Sequence, residues 1–199
     1  MQNNQNRIDK LLSERRKNIS TAPSLDKRYE ILLKEIFPCE PGDDPLFYPK
    51  TFTGADAEDY ENSVKIFRNK NWTEVDFHIV QEQFVQFLYL TPKGKIYYLP
   101  SFLKNFFDLR LVETEFFSYF ISDLENGFSS PRFEKTKESL DEGKEFPKDL
   151  SSFESLTPIQ SKMVALFLAN VANLLPNDYY ESQQAQRALT NYWGNYLLF

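Results

Sequence analysis

The stretch Phe87-Leu88-Tyr89-Leu90-Thr91-Pro92-Lys93-Gly94-Lys95-Ile96-Tyr97-Tyr98-Leu99 decides whether the chain is helical throughout or carries a small sheet. Read as a hairpin, it has two apolar runs, 87–90 and 96–99, around a Thr-Pro-Lys-Gly turn, with proline where type I and II turns favour it. Read as helix, Val80, Phe84, Phe87 and Leu88 recur at helical spacing up to Leu90. Thr91 then caps a helical turn opened by Pro92, a position where the missing N–H of proline costs nothing. The flanking segments favour the helix. The expected fold is therefore mainly α, a single-domain, bundle-like arrangement of about seven helices, with a short β-hairpin at 86–99 as the alternative for this segment.

Toward the N-terminus, Asp56 to Lys70 predicts a helix with Tyr60, Val64 and Phe67 inward, and its acidic first turn (Asp56, Glu58, Asp59) suits the positive end of a helix dipole. Residues 39–53 hold Pro41, Gly42, Pro45 and Pro49 around Phe47, Tyr48 and Phe52, which predicts a structured loop. Leu25 to Phe37 predicts a helix capped by Ser24 and ended by Pro38, and Ile8, Leu11, Leu12 and Ile19 give a thin apolar stripe on a basic helix stopping before Pro23. Residues 1–6 read as a disordered tail, leaving 7–199 as one helical domain.

Toward the C-terminus, Ser101 predicts a cap for a helix through Arg110, and Glu113 to Leu124 predicts another, stopped by Gly127. Residues 128–152 lose periodicity and read as an irregular, charged surface segment. Thr157-Pro158 opens the clearest helix, which carries Met163, Leu166, Phe167, Val171 and Leu174 until Pro176 breaks it. Asn177 is the expected cap of a closing antiparallel helix with Ala185, Leu189, Tyr192 and Tyr196 on one face.

A chain of 199 residues can bury a core without disulfide or metal staples, since folding at this size removes roughly 70% of the extended chain's surface. Its 19 Phe, 11 Tyr and 2 Trp are expected to fill that core. The net charge of −6 argues against phosphate backbones, so no nucleic-acid partner is expected. The charge is uneven: residues 1–28 hold seven Lys or Arg against three acids, and 113–154 hold five against eleven, which suits a basic protein partner. One cysteine, Cys39, allows no intramolecular disulfide, and neither a signal peptide nor a run of about 20 apolar residues is present. The expected location is cytoplasmic, with no membrane association.

Catalytic options are few because His78 is the single histidine, and histidine is the usual group titrating near neutrality. It falls on the exposed side of its amphipathic segment. A Cys39 nucleophile served by His78 is the minimal thiol scheme, but Glu40 beside Cys39 raises a thiol pKa. No Gly-x-Ser-x-Gly elbow or phosphate-cradling glycine loop occurs, and one Cys with one His cannot make a four-coordinate zinc site. Asp43-Asp44 and the run Asp56, Glu58, Asp59, Glu61 could meet a hard cation, yet the first lacks a calcium loop's alternation and the second is explained by helix-start electrostatics. No catalytic, cofactor or metal residue is assigned.

Trp72-Thr73-Glu74-Val75, Phe87 to Pro92, and Tyr97-Tyr98-Leu99-Pro100-Ser101-Phe102-Leu103 resemble a family of uncharacterised bacterial proteins with a Trp…Leu-Thr-Pro…Tyr-Tyr-Leu-Pro signature. Leu156-Thr157-Pro158-x-Gln160 is similar to that family's C-terminal element. The resemblance implies a bacterial origin and a helical Thr91–Lys95 step, and it transfers no site residues. The functional expectation is a non-catalytic protein-binding protein, adaptor-like or immunity-like, with more against an enzyme than for one. The alternative is a carboxylate-dependent hydrolase with an aromatic-lined cleft. Tyr192 to Phe199 offers a further contact, either with the core or with a second copy in a homo-oligomer.

Overall fold

The computed structural model describes residues 22–40, 46–48, 54–68, 70–76, 89–107, 114–128 and 151–198. These form six α-helices: α1 (Ala22–Ile36), α2 (Ala55–Phe67), α3 (Pro92–Phe106), α4 (Glu115–Asn126), α5 (Pro158–Leu174) and α6 (Tyr180–Asn191). Short 3-10 turns lie at Trp72–Glu74, Ser151–Ser155 and Trp193–Leu197. The fold is mainly α, as expected. The tail 1–6, the helix expected over Ile8–Ile19, the approach at 77–88 and most of 128–152 lie outside the described residues.

From Pro92 onward the deciding stretch is a helix, and a longer one than the sequence suggests. Thr91 caps α3, its side chain accepting from the Gly94 N–H at 3.0 Å, and the helix runs without interruption to Phe106. Ile96 to Leu99 are therefore helical and cannot be the second arm of a hairpin. Leu90 does form one antiparallel bridge, but with Phe47: Tyr48 N–H donates to Tyr89 O at 3.1 Å and Thr91 N–H to Leu46 O at 3.0 Å. Gly94, which reads as a turn glycine, has a packing reason instead. A Cβ there would stand 2.0 Å from the Leu46 carbonyl oxygen, so only glycine lets the 46–48 segment lie against the first turn of α3.

Ser101 is consequently not a cap. It lies inside α3, one residue after Pro100, and its hydroxyl donates to Tyr98 O at 2.7 Å. Pro100 removes an N–H from the helix interior, a loss of about 3 kcal/mol in an isolated helix. Here both residues are buried, and the packing of Leu99, Phe102, Leu103 and Phe106 outweighs that local preference.

α5 is the centre of the molecule. All eleven residues from Ser161 to Val171 are buried, so this helix is enclosed around its whole circumference. Its start is fixed by a capping box: Thr157 accepts from Gln160 N–H at 3.4 Å, while Gln160 Oε1 accepts from Thr157 N–H at 2.9 Å. α6 packs beside α5 as the expected antiparallel partner. Its N-cap is Tyr179 and makes no side-chain cap bond. Asn177 sits two residues earlier, where its carbonyl and side chain accept from Gln183 and Gln186 at 3.1 and 3.5 Å.

The aromatic residues fill the interior. All twelve described phenylalanines are buried, and Phe102 and Phe106 of α3 meet Phe116 and Phe120 of α4 at ring separations of 5.3 to 5.7 Å. Phe167 of α5 continues the stack 5.7 Å from Phe120. Such edge-to-face and tilted pairs contribute roughly 0.5–1.5 kcal/mol each beyond the area they bury. Tyr98 donates from its hydroxyl to the carbonyls of Phe67 and Lys70, and Trp72 donates to Pro38 O at 2.9 Å. Those two residues tie the ends of α1 and α2 to α3.

Candidate functional site

α4 organises the polar groups. Phe116, Phe117, Phe120, Ile121 and Leu124 occupy its core face, so helical spacing turns Asp123 toward one flank and Ser118 and Glu125 toward the other. On the first flank Lys95 of α3, only 1% exposed, places its ammonium 2.9 Å from Asp123 Oδ2. The same ammonium lies 5.7 Å from the centre of the Phe128 ring. Phe128 in turn donates its N–H to Ser152 Oγ at 3.2 Å and stacks against Phe153 at 5.0 Å. The buried cation is thereby placed where the described chain leaves at 128 and returns at 151. Burial pushes the Asp123 carboxyl above the ordinary carboxylate range, and the charge and hydrogen bond of Lys95 oppose that rise without cancelling it.

On the second flank α4 and α6 run side by side in the same direction. Ser118 hydrogen-bonds Glu181 near their starts, and Arg187 forks onto Glu125 further along, at 2.7 and 3.2 Å. Trp193 closes the pairing, donating to Leu124 O at 2.7 Å. The bond to Glu125 holds Arg187 still more firmly protonated. The Arg187 guanidinium also sits 5.9 Å from the Tyr180 ring centre. Around the start of these two helices stand Tyr119 (53% exposed), Tyr179 (41%) and Tyr180 (60%), with Glu115 and Asp178 exposed beside them.

Of the residues weighed from sequence, Cys39, Glu58, Asp59 and Glu61 have described surroundings, and none of them belongs to these ion pairs. Cys39 is exposed, and its backbone carbonyl accepts from the Tyr97 hydroxyl at 2.7 Å. His78, Asp43 and Asp44 lie outside the described residues, so the Cys39–His78 pairing and the first acidic pair have no described geometry. Glu58 and Glu61 are exposed on α2 and Asp59 is half-buried. Among the described residues no group of three or more His, Cys, Asp or Glu could hold a metal ion. The C-terminal aromatic segment turns inward: Trp193 is fully buried, with Phe153 at 4.6 Å, and Leu198 is left 85% exposed.

Lys95, Asp123, Glu125 and Arg187 escaped the sequence reading because each looks like an ordinary surface charge. One signal was present: Lys95 shares helical spacing with Leu99 and Phe102 on the apolar side of α3.

The fold and these ion pairs define a mainly helical, aromatic-cored chain in which Lys95 pairs with Asp123 between α3 and α4, and Arg187 with Glu125 between α6 and α4. The chain belongs to the family of unknown function DUF6714, whose model matches residues 52–197. That range takes in α2 to α6 and leaves α1 outside. No curated protein and no solved structure matches the chain. Among the described residues no helix is long and apolar enough to cross a membrane.

Proposed function

We propose that the chain is a non-catalytic protein-binding protein of adaptor or immunity type, acting in the bacterial cytoplasm on a basic partner. The observation that carries this reading is the split use of polar and aromatic groups. Lys95, Asp123 and Glu125 are committed to ion pairs within the fold, whereas Tyr119, Tyr179 and Tyr180, near the starts of α4 and α6, are 41 to 60% exposed. Exposed tyrosine is a residue type enriched in protein interfaces, where its ring supplies contact area at low entropic cost.

The hydrolase alternative draws on Asp123, whose raised carboxyl has the direction a general acid needs. The 2.9 Å contact with Lys95 ties that carboxyl to a structural partner. A homo-oligomer through the C-terminal segment has Leu198 as its exposed apolar residue.

The test is cross-linking and mass spectrometry of tagged protein held at its native level in the organism of origin, with reciprocal purification of each enriched protein. A reproducible, stoichiometric partner of basic charge is the expected result. Absence of any partner that survives reciprocal purification would sink the reading.

A further inference from the structure

We propose that Lys104 is a covalent modification site: its amine, half-buried where α3 meets α1 and lacking an ion-pair partner, accepts an acyl group from an activated donor of the acyl phosphate or thioester class. None of the residues that form this site enters the protein-binding reading.

Position comes first. On α3, Tyr97 lies two helical turns before Lys104 and Phe107 one turn after it, so the three share one stripe. Both flanking residues contact the α1 side of the molecule. The Tyr97 hydroxyl donates to Cys39 O, just past the end of α1, at 2.7 Å. The Phe107 ring stacks on Tyr29 of α1 with centres 3.8 Å apart and planes 8° from parallel. Lys104 is held between them on the same face, half-buried, with part of its side chain still in water.

No described carboxylate pairs with it. The charges that act on Lys104 are Glu30 and Lys34 of α1 and Asp76 beyond the Trp72–Glu74 turn. Glu30 and Lys34 are engaged with each other at 2.8 Å, and among the described residues none forms an ion pair or hydrogen bond with the Lys104 ammonium. Lys95 on the same helix differs, because Asp123 stands 2.9 Å from its ammonium.

This setting favours the free amine. Burial is the main cause that lowers the Lys104 pKa; Glu30 and Asp76 oppose it without cancelling it, and Lys34 adds to it. Desolvation and a neighbouring cation are both ways by which a protein frees a lysine nucleophile near neutral pH. In the reaction the Nζ lone pair attacks the acyl carbonyl carbon. The bond from that carbon to phosphate oxygen or thiol sulfur breaks, its electron pair leaves with the phosphate or thiolate, and the extra proton on nitrogen passes to water. The product is a neutral amide, which spares the half-buried position a charge.

The probe is acetyl phosphate, added to the full-length protein at pH 7, with acetylation at each lysine followed by peptide mass spectrometry. Each rate in the folded chain is divided by the rate at the same lysine in guanidinium chloride, which removes the effect of local sequence. Lys104 should react roughly threefold or more faster folded than unfolded, while the exposed Lys27, Lys34, Lys65 and Lys93 gain nothing from folding. Its rate should also reach a plateau at lower pH than theirs. Lys104→Met, which keeps the aliphatic stem without the charge, should melt no lower than wild type at pH 7. A folded rate at or below the unfolded one, or a pH–rate profile matching those of the four exposed lysines, would overturn the assignment. A drop of several degrees in the Tm of Lys104→Met would overturn it too, because the ammonium would then be a structural partner rather than a free amine.

Discussion

Replacing Lys95 by methionine isolates the internal charge on which α3 and α4 meet. The methionine keeps most of the aliphatic volume, so the change chiefly removes an ammonium that is 1% exposed, 2.9 Å from Asp123 and 5.7 Å from the Phe128 ring centre. Deleting one partner of a buried pair costs about 3–5 kcal/mol when the other charge is left without compensation. The Asp123 side chain keeps 21% exposure, which gives its carboxylate some water. The expected loss at pH 7 is therefore near the lower end, about 3 kcal/mol, or a drop in Tm of roughly 6–12 °C for a domain of this size.

The pH dependence fixes the cause. Asp123 already titrates above the usual carboxylate value because of burial, so the folded state holds this proton to higher pH than the unfolded chain does. Its contribution to stability consequently rises as pH falls through the folded pKa and levels off below the unfolded value of about 3.9. Lys95→Met removes the charge and the hydrogen bond that hold the carboxyl down, so the proton affinity of Asp123 rises further. A neutral carboxyl needs no countercharge, so the deficit relative to wild type should shrink as pH falls. Urea denaturation of both proteins from pH 5 to 7.5 measures this, and taking the difference cancels the other carboxylates. A deficit under 1 kcal/mol at pH 7, or one that does not change with pH, would refute the reasoning.

Three other perturbations test the packing. Gly94→Ala gains about 1 kcal/mol of helix propensity but drives a Cβ to 2.0 Å from the Leu46 carbonyl oxygen, so a net loss of roughly 1–3 kcal/mol is expected in urea denaturation, with the Phe47–Leu90 bridge opened. Trp193→Phe removes the donor to Leu124 O at 2.7 Å and part of the contact with Phe153; about 2–3 kcal/mol should be lost in thermal unfolding followed by circular dichroism. Thr157→Ala opens the capping box of α5 and should cost about 1 kcal/mol, while Thr157→Ser, which keeps the acceptor oxygen, should cost much less by the same measurement.

The helices were legible where local chemistry decides them. Thr157-Pro158 with Gln160, and Glu115 to Asn126 between Thr114 and Gly127, carry their starts and stops within a few residues. α3 was half legible, because Thr91-Pro92 announced its start while Pro100-Ser101 announced an end that the core overrides. The pairing of α4 with α6 was not legible. Nothing local to Ser118 or Glu181 says that they meet, since they are 63 positions apart and only the register of α4 on α6 joins them.

The sequence by itself determined a mainly helical chain with an aromatic core and no disulfide, because periodicity, capping and composition act through neighbours or through the whole chain at once. Only the tertiary structure decided why position 94 is glycine, that Lys95 is buried and which tyrosines face water. A glycine chosen for close approach looks in sequence like a glycine chosen for a turn, and a buried charge looks like a solvated one. What distinguishes them is the Leu46 backbone lying against α3, the Asp123 carboxylate meeting Lys95, and the parallel seating of α6 on α4.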